Sequence, residues 1–195
     1  MLRGMTHAVL PCRDHLGASL RRWRALNRVK QAALAEELGV SQTTVSRWEA
    51  GTLPLGPREE DRVTQLLAAR PGSAADRALL DLVRQSPRPV HLICDLTHRL
   101  FAASPARIAG WRVGIDDLVG RSLWRFASPG IAAGEAALDT LGWYAPVAPA
   151  VTIDTEEADF GELSIAAGRL RYTRMPLSDG SFARLVEDGA RRARA

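Results

Sequence analysis

Residues 30–51 read KQAALAEELGVSQTTVSRWEAG. The spacing predicts two short helices meeting at a tight corner. From Gln31 to Leu38, Leu34, Ala35 and Leu38 face inward while Glu36 and Glu37 face water. Gly39 ends this helix, because glycine accepts the positive φ that turns the chain. Ser41 is a good N-cap for the next helix, Gln42 to Ala50, which Gly51 stops. Ala35 is small where the two helices crowd, Val40 and Val45 fill the corner, and Trp48 anchors the same face as Val45. Gln42, Thr43, Ser46 and Arg47 are left on the outward face. Short polar groups and one guanidinium are what can read base edges in a major groove.

Working outward, Leu16, Leu20, Trp23 and Leu26 recur at helical spacing among Arg21, Arg22, Arg24 and Arg28. Gly56-Pro57 opens a fourth helix to about Ala69, with Glu59, Glu60 and Asp61 in its favourable first turn. Charge is unevenly spread. Residues 1–58 hold nine Arg/Lys against four Asp/Glu, and the remainder seventeen against eighteen, for a net +4. A basic first third suits a polyanionic partner. Of the 26 basic residues only Lys30 is a lysine, a bias that reads as GC-rich coding.

Arg70-Pro71-Gly72-Ser73 reads as a boundary. Beyond it Ala75 to Gln85 is amphipathic through Leu79, Leu82 and Val83, and Pro87 and Pro89 break it. Strand patterns follow at Val90–Asp95 and Leu100–Ala103, then a helical piece from Pro105 and an alanine-rich helix at Ile131–Leu141. Four more strands are expected at Val147–Ile153, Glu162–Ala167, Leu170–Met175 and Phe182–Val186. Gly168 and Ser178-Asp179-Gly180 are the expected turns. The last residues, Ala-Arg-Arg-Ala-Arg-Ala, read as a frayed basic tail.

Several classes are excluded. No apolar run approaches the ~18 residues of a membrane span, and the N-terminal stretch is no secretory signal. Cys12 and Cys94 alone make no disulfide framework, so a reducing cytoplasm is expected. No nucleophile elbow, P-loop or H-E-x-x-H motif is present. The chain is expected to be no enzyme and to need no cofactor.

The segment Leu16–Ala69 resembles the Cro and phage-repressor (XRE) helix-turn-helix family. The match rests on Gln31, Leu34-Ala35, Leu38-Gly39-Val40-Ser41, Val45-Ser46, Trp48-Glu49 and Gly51. The resemblance implies base contacts from Gln42, Thr43, Ser46 and Arg47, and phosphate contacts from Gln31 and Thr44. It also implies a partly buried ion pair between Arg24 and Glu49. Arg21, Arg22, Arg28 and Lys30 are further candidates for phosphates. The chain departs from the family at Arg28, where a glycine is usual. The self-cleaving serine–lysine dyad of many phage-type repressors is excluded, since Lys30 lies inside the motif.

Residues from about Asp76 to Asp188 resemble a PAS sensory domain in the order of their elements. The carrying segments are VHLICDLTHRLFAAS, SPARIAG, DLVGRSLWRF and PLSDGSFARLV, with Ser104 where many such sequences have asparagine. The resemblance implies a five-stranded antiparallel sheet with helices over one face. Trp111, Trp124, Trp143 and Tyr144 are candidates to line a pocket for a small ligand, or else simply fill the core. His91, Cys94 and His98 form H-x2-C-x3-H, but strand alternation sends His91 and Cys94 to opposite faces, so no metal site is expected. Asp154, Glu156, Glu157, Asp159 and Glu162 read as a solvated loop.

The expected organisation is α+β. Residues 1–70 form a helix-turn-helix bundle, 71–89 a linker and flanking helix, 90–188 a PAS-like domain and 189–195 a basic tail. The implied function is a regulator that binds double-stranded DNA as a homodimer, with a small-molecule ligand or protein partner at the second domain. The competing reading is an antitoxin-like or adaptor protein whose C-terminal half binds another protein.

Overall fold

The computed structural model describes residues 14–189, which leaves the expected basic tail, apart from Gly189, and Cys12 outside the described residues. The chain divides into two compact units that part between Ala68 and Ala69.

The first unit has four helices: α1 (Asp14–Leu26), α2 (Gln31–Leu38), α3 (Gln42–Glu49) and α4 (Pro57–Leu67). Its core draws Leu16 and Leu20 from α1, Leu34, Ala35 and Leu38 from α2, Val45 and Trp48 from α3, and Val63 and Leu67 from α4. Leu26 is a correction to the apolar stripe of α1, because at the helix end it is 42% exposed. The corner between α2 and α3 is closed by Gly39 at φ +65, with Val40 N–H donating to the Ala35 carbonyl. Ser41 then caps α3 by accepting from Thr44 N–H at 3.1 Å. A second device secures the end of α2. Arg62 of α4 donates to the carbonyls of Leu38 at 2.6 Å and Glu37 at 2.9 Å, placing a cation at the negative end of the helix.

Helices α1 and α3 approach backbone to backbone at Gly17. A Cβ there would stand 2.0 Å from the Trp48 carbonyl oxygen, far inside any non-bonded heavy-atom contact. Glycine is therefore needed inside α1 despite its poor helix propensity.

The second unit opens with α5 (Ala74–Arg84), begun by a capping box in which Ser73 and Asp76 satisfy each other's backbone N–H groups. Five antiparallel strands follow: β1 (Val90–Cys94), β2 (Leu100–Ala103), β3 (Val151–Thr155), β6 (Gly168–Pro176) and β7 (Phe182–Asp188), in the order β2-β1-β7-β6-β3. Across the sheet His91 stands opposite Val186, Val186 opposite Tyr172, and Tyr172 opposite Val151. Val90, Leu92 and Cys94 face a cluster with Ala69, Val83 and Leu177, over which α5 packs. Ile93, Tyr172 and Val186 face the other way, into a larger cluster covered by α6 (Pro105–Ile108), α7 (Ile115–Leu118), a 3₁₀ turn (Leu123–Phe126) and α8 (Pro129–Ala137). Ser104 ties these layers together. Its hydroxyl accepts from Val90 and Arg107 N–H and donates to the Arg88 carbonyl at 2.7 Å.

The sheet corrects two strand assignments. Val147 is 89% exposed and β3 starts only at Val151, because Pro146 and Pro149 interrupt the pattern. The Glu162–Ala167 segment stays out of the sheet. Its Ser164–Ile165 (β5) pairs instead with Ala158–Asp159 (β4) in a separate two-stranded ribbon. Gly168 begins β6 rather than forming a turn, while Gly180, at φ +80, does turn the β6–β7 hairpin.

Substituting Gly17→Ala is expected to lower stability by at least about 1–3 kcal/mol through overpacking. Gly110→Ala, where an added Cβ meets nothing within 4 Å, should change it by no more than about 0.5 kcal/mol. Urea denaturation of the two variants checks the pair, and equal effects would contradict the close approach.

Candidate nucleic-acid interface and internal cavity

Helix α3 presents two faces. Val45, Trp48 and Glu49 are buried, whereas Gln42, Thr43, Ser46 and Arg47 are exposed along one ridge. The period of 3.6 residues produces this split, and Ser41 and Gly51 fix where the helix begins and ends. Thr44 is half-buried at the margin, and its hydroxyl pairs with that of Ser41 at 2.8 Å.

The ridge is held from beneath by a carboxylate. Arg24 of α1 donates to Glu49 through Nε at 2.7 Å and Nη2 at 2.9 Å, and its Nη1 reaches the Val29 carbonyl at 3.0 Å. Gln31 of α2 donates from Nε2 to the same carboxylate at 2.9 Å. Burial alone would raise the Glu49 carboxyl, but the hydrogen bonds from Arg24 and Gln31 outweigh it and hold the group below its usual range. The structure thus brings Arg24, Gln31 and Glu49 together, with Arg21 close enough to add its field. Gln31 was expected to contact a phosphate. Its side-chain Nε2 turns to Glu49, while its main-chain N–H belongs to the first turn of α2. Lys30, beside it, adds no side-chain cap to α2.

Arg21, Arg28 and Lys30 are exposed, and Arg22 is half-buried on α1. Arg28 adopts φ +55. That conformation costs an L-residue roughly 1–2 kcal/mol relative to glycine. Arg28, where the resemblance led to the expectation of a glycine, is therefore a position where the backbone turns left-handed.

In the second unit a cavity of about 350 Å³ lies between the sheet and its helical cover. Trp111 and Trp124 line it. Trp143 and Tyr144, named with them from the sequence, do not. Trp143 is wholly buried in the core with its indole N–H on Asp95 at 3.0 Å, and Tyr144 packs beside it under Arg174. The cavity wall also carries charge that composition did not signal. Arg184 of β7 is buried between Asp95 (2.8 and 2.9 Å) and Glu135 of α8 (2.6 Å), and Glu135 also meets His98 Nε2 at 3.3 Å. Burial would raise the Glu135 carboxyl, but the charges and hydrogen bonds of Arg184 and His98 together outweigh it and hold the group well below its ordinary value. Arg174 completes the cluster on Asp95 at 3.2 Å.

His91 lines the cavity, whereas Cys94 is buried on the opposite face, its sulfur accepting from Ala69 N–H at 3.4 Å. Among the described residues no cluster of His, Cys, Asp and Glu could hold a metal. The acids expected in a solvated loop are exposed, Asp154 at 85%, Asp159 at 64% and Glu162 at 41%, and at the surface they pair with Arg169, Arg112 and Arg125, while Glu156 accepts from the N–H of Gly130. Gly17, Arg62 and Arg184 were not singled out from sequence. A glycine in a helix or an arginine in a strand signals nothing until its neighbours are known.

Residues 15–81 match the family model described as a helix-turn-helix domain. No curated protein sequence matches. Among solved structures, the chain is similar to the PAS domain of BvgS from Bordetella pertussis, with 11% identity, a TM-score of 0.37, and 60% of this chain and 86% of that one covered. It is also similar to an RNA-binding light-oxygen-voltage receptor, with 12% identity, a TM-score of 0.42, and 91% and 59% covered. No helix among the described residues is long and apolar enough to cross a membrane.

Replacing Glu49 by Gln should cost about 1–2 kcal/mol at pH 7, the low end for charged hydrogen bonds because the Arg24 side chain stays 20% exposed. Since folding lowers the Glu49 pKa, this stabilisation is present above the ordinary carboxylate value and disappears as pH falls below about 4. Thermal unfolding of wild type and Glu49→Gln should therefore converge in acid, and a gap independent of pH would refute the ion-pair account. Residues 15–81 of this chain match a helix-turn-helix domain model, and the unit that follows Ala68 is built on a five-stranded antiparallel sheet.

Proposed function

We propose that the protein is a cytoplasmic, sequence-specific DNA-binding transcription regulator of the Cro/phage-repressor (XRE) type. It works as a homodimer, and its PAS-like unit supports dimerisation and senses a signal. The observation that carries the reading is the exposed ridge of Gln42, Thr43, Ser46 and Arg47 on a helix whose buried face is fixed by Val45, Trp48 and Glu49. Such a ridge needs no rearrangement to enter a major groove, and its side chains carry the donors and acceptors that base edges require.

Arg21, Arg28 and Lys30, exposed on the same basic unit, and half-buried Arg22 are assigned to phosphates. The first-turn N–H groups of α2 at Gln31 join them, as helix N-termini commonly hold phosphate, and Thr44 serves at the margin. The proposed organisation assigns 1–70 to DNA, 71–89 to a linker and flanking helix, and 90–188 to sensing and dimerisation. A two-fold dimer would bind two half-sites about one helical turn apart.

The test is fluorescence anisotropy on a preferred duplex. Arg47→Ala should weaken binding by about 1–3 kcal/mol and relax specificity at one base pair. Affinity should also fall steeply with added salt as counterions are released. Equal loss on every sequence would move Arg47 to a phosphate, and association indifferent to salt would overturn the DNA-binding reading.

A further inference from the structure

We infer that Asp76 and Asp179 are positioning residues for DNA recognition: they pin residues 69–73, which join the two units, and so fix the half-site spacing the dimer accepts. The inference rests on the dimeric DNA-binding reading proposed above and names what sets its spacing.

The joining segment reads Ala69-Arg70-Pro71-Gly72-Ser73. Proline and glycine in such a connection suggest a loose linker whose N–H groups go to water. Here each N–H of the segment is bonded to a side chain of the second unit. Ala69 N–H donates to Cys94 Sγ of β1 at 3.4 Å, and Arg70 N–H to Asp179 Oδ2 at 2.8 Å. Gly72 and Ser73 N–H both donate to Asp76 Oδ2, at 2.9 and 3.0 Å. Pro71 has no N–H to place.

The anchors are themselves held. Asp76 is buried in the first turn of α5, where its Oδ1 accepts from Ser178 N–H at 3.1 Å and its Oδ2 from the Ser178 hydroxyl. Asp179 Oδ1 accepts from Ser181 N–H at 2.9 Å. Ser178 and Asp179 belong to the turn between β6 and β7, 102 residues beyond Asp76 and 109 beyond Arg70. Arg77 of α5 donates to the Gly72 carbonyl at 2.9 Å. Beneath these bonds Ala69 packs with Val83, Cys94 and Leu177. Three elements, α5, β1 and the β6–β7 turn, thus grip one short stretch of chain.

The grip leaves little slack. Helix α4 ends at Leu67 and the first held N–H is that of Ala69, so only Ala68 lies between. The length and stiffness of a tether decide which spans a two-headed binder can bridge. Freeing residues 69–73 would release up to about 17 Å of extended chain in each subunit, the axial length of roughly five base pairs. Held, the tether restricts each α3 ridge to half-sites near one spacing; freed, it tolerates others.

Two measurements on the full chain test this. The first is amide hydrogen exchange without DNA. In wild type the amides of Arg70, Gly72 and Ser73 should exchange at least about tenfold slower than unstructured amides. In the Asp76→Ala/Asp179→Ala double variant that protection should be lost, while the amides of β1 and β7 keep theirs. The second is fluorescence anisotropy on duplexes whose half-sites are moved by roughly two base pairs either way. Wild type should lose about tenfold or more in affinity on each shifted duplex, and the double variant no more than about threefold. Asp81→Ala, which removes only an exposed pair with Arg84, should match wild type. Asp179→Ala alone, in an exposed turn, should broaden the spacing to a smaller degree and serves as the test if the double variant does not fold. Fast exchange in wild type, a double variant as selective as wild type, or an equal loss at every spacing would overturn the inference. A wild type that binds no duplex at any spacing would instead overturn the DNA-binding reading, and this inference with it.

Discussion

One buried carboxylate sets the geometry of the first unit. Glu49 lies at the end of α3, and its two oxygens are shared by Arg24 of α1 and Gln31 of α2. Three helices that could slide past one another on apolar contacts alone are thereby fixed in register. Removing either donor would leave a buried charge short of partners, which is why such a pair specifies one arrangement. Gly17 makes the pair attainable, because only a residue without Cβ lets α1 come down onto the Trp48 carbonyl. The outward ridge of α3 is the consequence: its direction is decided by what lies beneath it.

The second unit solves a different problem. Its sheet is covered on both faces, by α5 on one side and by short helices on the other, so its strands need apolar residues in both directions. β1 reads almost continuously apolar for that reason, with His91 as the exception. The short helices cannot fill the space a long helix would, and the cavity remains between them. The Asp95–Arg184–Glu135 cluster spans it from strand to helix. Such a network is costly to bury but stiff once complete. It also couples α8 to β7, the strand that sits beside β1 in the sheet.

Sequence reading succeeded where local chemistry is decisive. Gly39, Ser41 and Gly51 mark the ends of α2 and α3 because a left-handed turn and a side-chain cap each admit few residue types. In the second unit serines cap helix starts in the same way at Ser73, Ser104 and Ser128, although none of them was read as a cap from the sequence. What escaped depends on partners distant in the chain. The alternation at Glu162–Ala167 promised a sheet strand, yet its neighbour is the short β4 strand and the main sheet closes without it. Four aromatic rings looked equivalent, but only the fold separates Trp111 and Trp124 at the cavity from Trp143 on Asp95. The Arg184 cluster joins residues up to 89 positions apart, a separation at which no spacing rule applies. The Gln31 amide was legible as a polar group at a helix start, but its commitment to Glu49 was not.

The central claim is that the α3 ridge reads a duplex. Selecting bound fragments from a random double-stranded DNA pool with the full-length chain tests it most directly. The account predicts enrichment of an inverted repeat whose half-sites are centred about ten base pairs apart. A pool that stays random through successive rounds at low salt, with the protein folded throughout, would contradict it.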